Sequence, residues 1–206
     1  MANTNTPNGL QLLNNNPSGY TPKVTPYYIS NAQAAMAVGT PVTLTGTANS
    51  ANVIFGQEWA AGTLPGIQVA TGGDGNKLLG AIVSFGTINP SSIMPAASAS
   101  YNPATTENIA WVCDDLNAEF VILDNGTNAL TVTDIGQNAN LTIGTVNTFT
   151  GQDSTTLASG SVNTTATFQV KILRLNSAPN NVIGETNAEY VVKINNHLFG
   201  NIVAGV

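Results

Sequence analysis

The chain predicts an all-β protein, an antiparallel β-sandwich or barrel-like domain with an extended N-terminal arm and a long Pro/Ser/Ala-rich loop. Three observations carry that prediction. Residues 167–175 (TFQVKILRL) and 189–195 (EYVVKIN) alternate apolar and polar side chains at the two-residue period of a strand. Residues 108–126 (NIAWVCDDLNAEFVILDNG) hold two apolar, β-branched runs of strand length. Elsewhere, short apolar runs at 41–44, 52–55, 67–70 and 78–85 recur between Gly, Asn, Ser and Pro clusters, the punctuation of a β protein.

Residues 1–26 read as an arm. Pro7, Pro17, Pro22 and Pro26 remove backbone donors and fix φ, so neither helix nor central strand is expected there. Leu10, Leu12, Leu13 and Tyr20 are apolar groups that a purely solvated tail would not need, so the arm is expected to lie on its own domain or on a neighbour. Residues 31–37 (NAQAAMA) are Ala-rich behind a capping Asn31 and predict one or two helical turns, stopped by Gly39 and Pro41. The stretch GGDGNK at 72–77 lacks the Gly-Lys-Ser/Thr order of a phosphate loop and reads as a glycine-supplied hairpin turn. Residues 87–107 have no period and read as a long surface contact loop, with Pro95 and Tyr101 its candidate anchors.

The two runs within 108–126 read as a hairpin closed by the acidic turn Asp114-Asp115. Its second run is apolar on one face (Ala118, Phe120, Ile122) and mixed on the other (Glu119, Val121, Leu123), so both faces are expected to be covered. Weak strand signals follow at 130–132 and 141–143. The runs at 167–175 and 189–195 then read as adjacent antiparallel strands with Lys171 and Lys193 on the polar face. The whole is expected to be one β domain over 27–206; two lobes, 27–86 and 108–206, joined by 87–107, are the alternative, disfavoured because 60 residues is small for a lobe with no metal or disulfide.

Composition bounds the function. Only 8% of the residues are charged, against about 25% in an average domain, and 27 Asn and 26 Thr supply the polar surface instead. Such a surface has weak long-range fields and many short-range hydrogen-bonding groups, which suits a static, close-fitting contact. A net charge of −6 with five basic residues leaves too little positive charge to displace phosphate counterions, which disfavours nucleic acid. With Cys113 alone, no intrachain disulfide forms. The N-terminus lacks a basic leader and apolar core, and no apolar run reaches membrane-spanning length. Synthesis in a cytosol is expected, with exit by lysis or within a particle.

Catalysis is not expected. His197 is the one histidine and has no motif-supplied partner, no nucleophile elbow occurs, and Cys113 sits in an apolar strand. Asp114, Asp115, Glu119 and Asp124 gather in sequence, yet Asp favours turns for its own backbone bonds, and their spacing matches no calcium loop. No cofactor is expected. Asn-x-Ser/Thr at Asn125, Asn140 and Asn163 follows from composition.

A set of landmarks spread along most of the chain carries a resemblance. ANTNTPNGL at 2–10, YYI at 27–29 leading to GTPV at 39–42, LGAIV at 79–83 and the strand–acidic pair–strand of 111–120 come first. DIGQNA at 134–139, Thr150-Gly151, 165–175, and Pro179-Asn180-Asn181 through Asn187-Ala188 to INNH at 194–197 follow. In order and spacing they resemble the decoration, or cement, proteins of tailed-bacteriophage heads; Leu116 stands where those proteins usually carry Pro. The resemblance implies a non-enzymatic virion protein, made in the bacterial host cytoplasm, that binds the major capsid protein on the outer surface of the expanded head and stabilises it. It also implies a homo-oligomer at a symmetry axis, a trimer ahead of a dimer. The expected contacts are Leu10, Leu12, Leu13, Tyr20, Pro95 and Tyr101, followed by Asp114 and Asp115. A glycan- or receptor-binding surface module is the alternative, with Trp59, Trp111 and the tyrosines as stacking groups.

Overall fold

A computed structural model of the chain describes residues 3–13, 20–50, 53–54, 57–86, 100–200 and 205. Its strands are, in order, β1 (Gln11–Leu12), β2 (Val24–Ile29), β3 (Met36–Ala37), β4 (Pro41–Ala48), β5 (Val53–Ile54), β6 (Gln57–Glu58), β7 (Pro65–Val69), β8 (Gly80–Phe85) and β9 (Tyr101–Asn102). They continue with β10 (Asn108–Cys113), β11 (Glu119–Leu123), β12 (Asn138–Ala139), β13 (Leu141–Thr142), β14 (Val146–Asn147), β15 (Gln152–Asp153), β16 (Thr156–Leu157), β17 (Val170–Leu175) and β18 (Glu189–Ile194). The fold is all-β and mostly antiparallel, as predicted.

Two assemblies share the strands. One is a closed barrel in the order β10-β2-β7-β4-β8, and the other a five-stranded sheet in the order β1-β11-β18-β17-β12. The barrel is antiparallel except where β2 meets β7 in parallel through Tyr28 and Gly66. Its interior holds Tyr27, Ile29, Val42, Ile67, Leu79, Ile82, Ala110 and Val112. In the sheet, β17 and β18 pair antiparallel from Val170↔Ile194, the arrangement their alternation predicts. Phe120, Ile122, Val170, Ile172, Tyr190 and Val192 form its buried face. That core also takes Leu78, Ala81 and Cys113 from the barrel side, so the two assemblies share apolar interior.

The structure corrects the sequence at five points. Residues 108–126 are no hairpin: β10 pairs with β2 and β8, whereas β11 pairs with β1 and β18. The acidic turn is therefore the crossing from barrel to sheet. Because β10 closes the barrel, the division into lobes 27–86 and 108–206 does not hold. Second, residues 31–37 form no helix. A turn in which Gln33 N–H donates to Ser30 O at 3.2 Å precedes β3, which pairs with β9. Third, 72–77 does not join a hairpin, since β4 lies between β7 and β8; the turn instead binds the sheet, Gly73 N–H donating to the buried Gln169 Oε1 at 3.0 Å. Fourth, the strand signal at 130–132 yields a 3-10 turn, Val132–Asp134, steadied by Thr131 N–H donating to Asp134 Oδ2 at 2.7 Å. Fifth, the arm ends before 26, because Val24, Thr25 and Pro26 already belong to β2.

The mixed face of β11 is covered only at its end: Glu119 and Val121 stay half-buried, and Leu123 meets the chain's own beginning. Leu123 is buried and lines a cavity of about 140 Å³ together with Asn3, Thr4 and Thr6. Asn3 behaves there like an added backbone group. Its Nδ2 donates to Val182 O at 3.1 Å and Thr186 O at 3.2 Å, and its Oδ1 accepts from Val182 N–H at 3.0 Å.

Candidate partner-binding surface

Charge is scarce, and part of it is spent inside the molecule. Asp114, Asp124 and Asp153 are buried, and each accepts hydrogen bonds from neighbouring backbone or hydroxyl groups. Of the chain's charged residues only Lys23, Glu58, Asp74, Lys77 and Arg174 are exposed. What remains outside is an Asn- and Thr-rich exterior with weak fields.

The acidic turn shows how the charge is consumed. Asp114 leaves β10 pointing inward and accepts from Tyr27 Oη at 2.8 Å, Thr25 Oγ1 at 3.0 Å and Lys23 Nζ at 3.4 Å. Asp115 accepts from the Tyr20 hydroxyl, from Lys23 N–H at 2.8 Å and from Asn117 N–H at 2.8 Å. Burial would raise the Asp115 pKa, but these donors and the Lys23 charge outweigh it and hold the carboxyl below its ordinary value. The reciprocal effect pushes Tyr20 up to about 12, the hydrogen bond to Asp115 first among its causes. Leu116 lies within the turn, which Ala118 N–H closes by donating to Asp115 O at 3.2 Å.

The predicted contact residues thus separate into groups. Leu10 is fully buried in the sheet core and Asp114 is 5% exposed, so both face their own domain and neither is free to touch a partner. Leu12 packs half-buried against that core in β1, and Leu13 N–H donates to Glu119 O at 2.9 Å, extending the same edge. Tyr20 is 38% exposed with its hydroxyl turned back to Asp115. Tyr101 is half-buried in β9. Pro95 lies outside the described residues. Glu119, at the start of β11, meets Arg174 Nη2 at 2.7 Å, while Asp124 sits at the strand's far end, so the four carboxylates do not converge.

The groups with chemical potential are likewise tied into structure. Burial pushes the Cys113 thiol up to about 11, which keeps it protonated. His197 is 1% exposed; its Nδ1 accepts from Phe199 N–H at 3.0 Å, and its Nε2 has no hydrogen-bond partner. Among the described residues no three His, Cys, Asp or Glu side chains gather as a metal site. Trp111 donates its indole N–H to Gly86 O at 2.8 Å, and Trp59 packs half-buried against the small cluster of Leu64 and Ile109. Neither tryptophan is an open stacking platform.

Sequence reasoning missed the most exposed apolar groups among the described residues, Phe149 at 96%, Val132 at 71% and Phe199 at 58%. The signal for Phe149 was present: Asn147 and Gly151 bracket it with the spacing of a tight turn. No protein-family model, curated protein or solved structure matches the chain.

Proposed function

We propose that the protein is a phage-head cement protein, bound to the outer surface of the major capsid protein of the expanded shell and bracing it, without enzymatic activity. The observation that carries the reading is the disposition of charge. Three carboxylates are buried and used internally, and the exterior is sparsely charged and rich in the hydrogen-bonding groups of Asn and Thr. A permanent contact between two surfaces depends on short-range complementarity of that kind rather than on steering. The order of sequence landmarks supports the same reading. Attachment as a symmetric oligomer, a trimer first, multiplies modest contacts into a lasting one.

One observation favours a second reading. A polar cavity of about 480 Å³, lined by Thr127, Asn128, Asp134 and Ser159 among others, has the hydroxyl, amide and carboxylate groups that hold a sugar, so a glycan-binding module is the alternative. Co-sedimentation of the purified chain with expanded, decoration-free shells of a tailed phage, beside a glycan array, separates the two. Saturable pelleting supports the cement role; glycan binding with no pelleting replaces it.

A further inference from the structure

His197 is a buried titratable group placed where barrel and sheet are joined. β18 runs on through Asn195 and Asn196 to reach it, and it bridges to Leu78 in parallel. It is 1% exposed. Its Nδ1 accepts from the N–H of Phe199, two residues on, at 3.0 Å, so the single proton of the neutral ring sits on Nε2. Nε2 itself has no hydrogen-bond partner. The same turn is held by Leu198 N–H donating to Leu78 O at 2.8 Å and by Gly200 N–H donating to His197 O at 3.2 Å. Leu198 packs against the barrel core, and a Cβ on Gly200 would lie 3.9 Å from Leu116 of the crossing turn. Residues 197–200 therefore close over the joint, and the ring nitrogen of His197 is one of the groups that hold them there.

We infer that His197 is a proton-operated latch: its neutral ring holds the 197–200 turn closed through Phe199 N–H, and its protonated ring releases that turn while barrel and sheet stay folded. A second proton has to go on Nδ1. That converts the acceptor of the Phe199 bond into a donor facing another donor, and the bond is lost. The charged ring is then buried without an acceptor on either nitrogen, a costly state. Phe199 is 58% exposed, so displacing this turn brings water to the ring without opening either core. The charges facing the ring are Asp114, at the end of β10, and Asp115, in the crossing turn; both favour protonation, as does the backbone at Asp114 and Leu79. Both carboxylates are already committed, Asp114 to Tyr27, Thr25 and Lys23, and Asp115 to Tyr20, Lys23 N–H and Asn117 N–H. From the other side Leu78, Leu79 and Asn196 bring no charge, and Lys77 beyond them is exposed. Burial outweighs the carboxylates, so the closed turn resists protonation and the open turn accepts it.

The test follows the full-length wild type and His197→Asn between about pH 8 and about pH 5 by imidazole-nitrogen NMR and amide hydrogen exchange, with rates corrected for the intrinsic effect of pH. Asparagine carries Oδ1 where histidine carries Nδ1 and readily accepts from the N–H two residues on, so this variant keeps the turn closed and cannot titrate. In wild type the ring is expected to carry its proton on Nε2 at the alkaline end. Protection of the Leu198, Phe199 and Gly200 amides is expected to fall by up to about tenfold per pH unit between about pH 6.5 and the lower folded-state value, while the β18 amides stay far better protected. In His197→Asn the same three amides are expected to hold within about twofold across the range. A ring protonated on Nδ1 at pH 8, or wild-type protection of Phe199 that ignores pH, overturns the latch. So does exchange of the turn at the same rate as β18, which would mean that it opens only with the whole fold, or an equal pH slope in His197→Asn. The wild-type readings decide by themselves if the variant does not fold.

Discussion

Asp114 and His197 set the residue scale, because each is a polar group buried where barrel meets sheet. Asp114→Ala leaves the buried Tyr27 hydroxyl without its acceptor at 2.8 Å and frees Thr25 Oγ1. An orphaned buried donor and a lost charge-assisted network cost about 2–4 kcal/mol, to be read from urea denaturation; a change under about 0.5 kcal/mol, the usual range for surface sites, would contradict the structural role. His197 predicts a pH dependence. Burial lowers its pKa from the ordinary 6.5, although Asp114 and Asp115 and the backbone at Asp114 and Leu79 pull the other way. The unfolded chain therefore takes up a proton that the folded chain resists. Stability from this group is fully present above about pH 6.5 and is lost as pH falls below it toward the folded value, at up to about 1.4 kcal/mol per pH unit. Denaturation midpoints measured from pH 8 to 5 should fall on the acid side, with a shallower slope in His197→Gln. Equal slopes in the two proteins would assign the acid sensitivity elsewhere.

Strands and turns show where sequence patterning is informative and where it fails. The alternation of 167–175 and 189–195 located β17 and β18 and their pairing, because one face of each packs on a core and period two survives. The apolar face of β11 was legible as a buried one, whereas its mixed face is closed only at Leu123; the segments that meet the strand, Leu10 on the core side and Asn3, Thr4 and Thr6 beside Leu123, lie more than a hundred residues away in sequence and have no local signature. The acidic turn looked like a hairpin turn because local composition does not say whether two strands exchange bonds with each other or with others. Likewise Ala-rich propensity at 31–37 lost to the tertiary pairing of β3 with β9. Gly80 gives the sharpest test of how β8 and β10 meet. A Cβ there would stand 2.0 Å from the Cys113 carbonyl oxygen, so the barrel cannot close without backbone movement. Gly80→Ala should cost about 3 kcal/mol or more, or abolish soluble folding. Gly75→Ala, at φ +76° with nothing within 4 Å, should cost only about 1–2 kcal/mol. Equal costs at the two positions, in denaturant melts, would mean that strain at Gly80 is relieved.

At the scale of the whole molecule, barrel and sheet are joined by covalent crossing, by shared core and by backbone bonds. β18 runs on into Asn196, whose carbonyl accepts from Leu78 N–H at 3.0 Å, and Leu198 N–H returns a bond to Leu78 O at 2.8 Å. The closed barrel has no free edge, and the sheet's edge strands β1 and β12 have two residues each, which limits edge-to-edge association. The same integration limits how the N-terminal segment is probed: a chain starting at Pro26 would lose the first residues of β2 and the buried Leu10, whereas one starting at Asn8 loses only the Asn3 clasp and Thr4 to Pro7. The proposed role asks a sparsely charged exterior to make a lasting, short-range contact with an expanded phage shell. The most direct measurement is co-sedimentation of the intact protein with decoration-free expanded shells at about 0.05 M and about 0.5 M salt, a range over which the screening length shrinks severalfold. Saturable binding whose affinity changes by less than about threefold across that range is expected; absence of binding at saturating concentration, or binding that collapses at the higher salt, rules the role out.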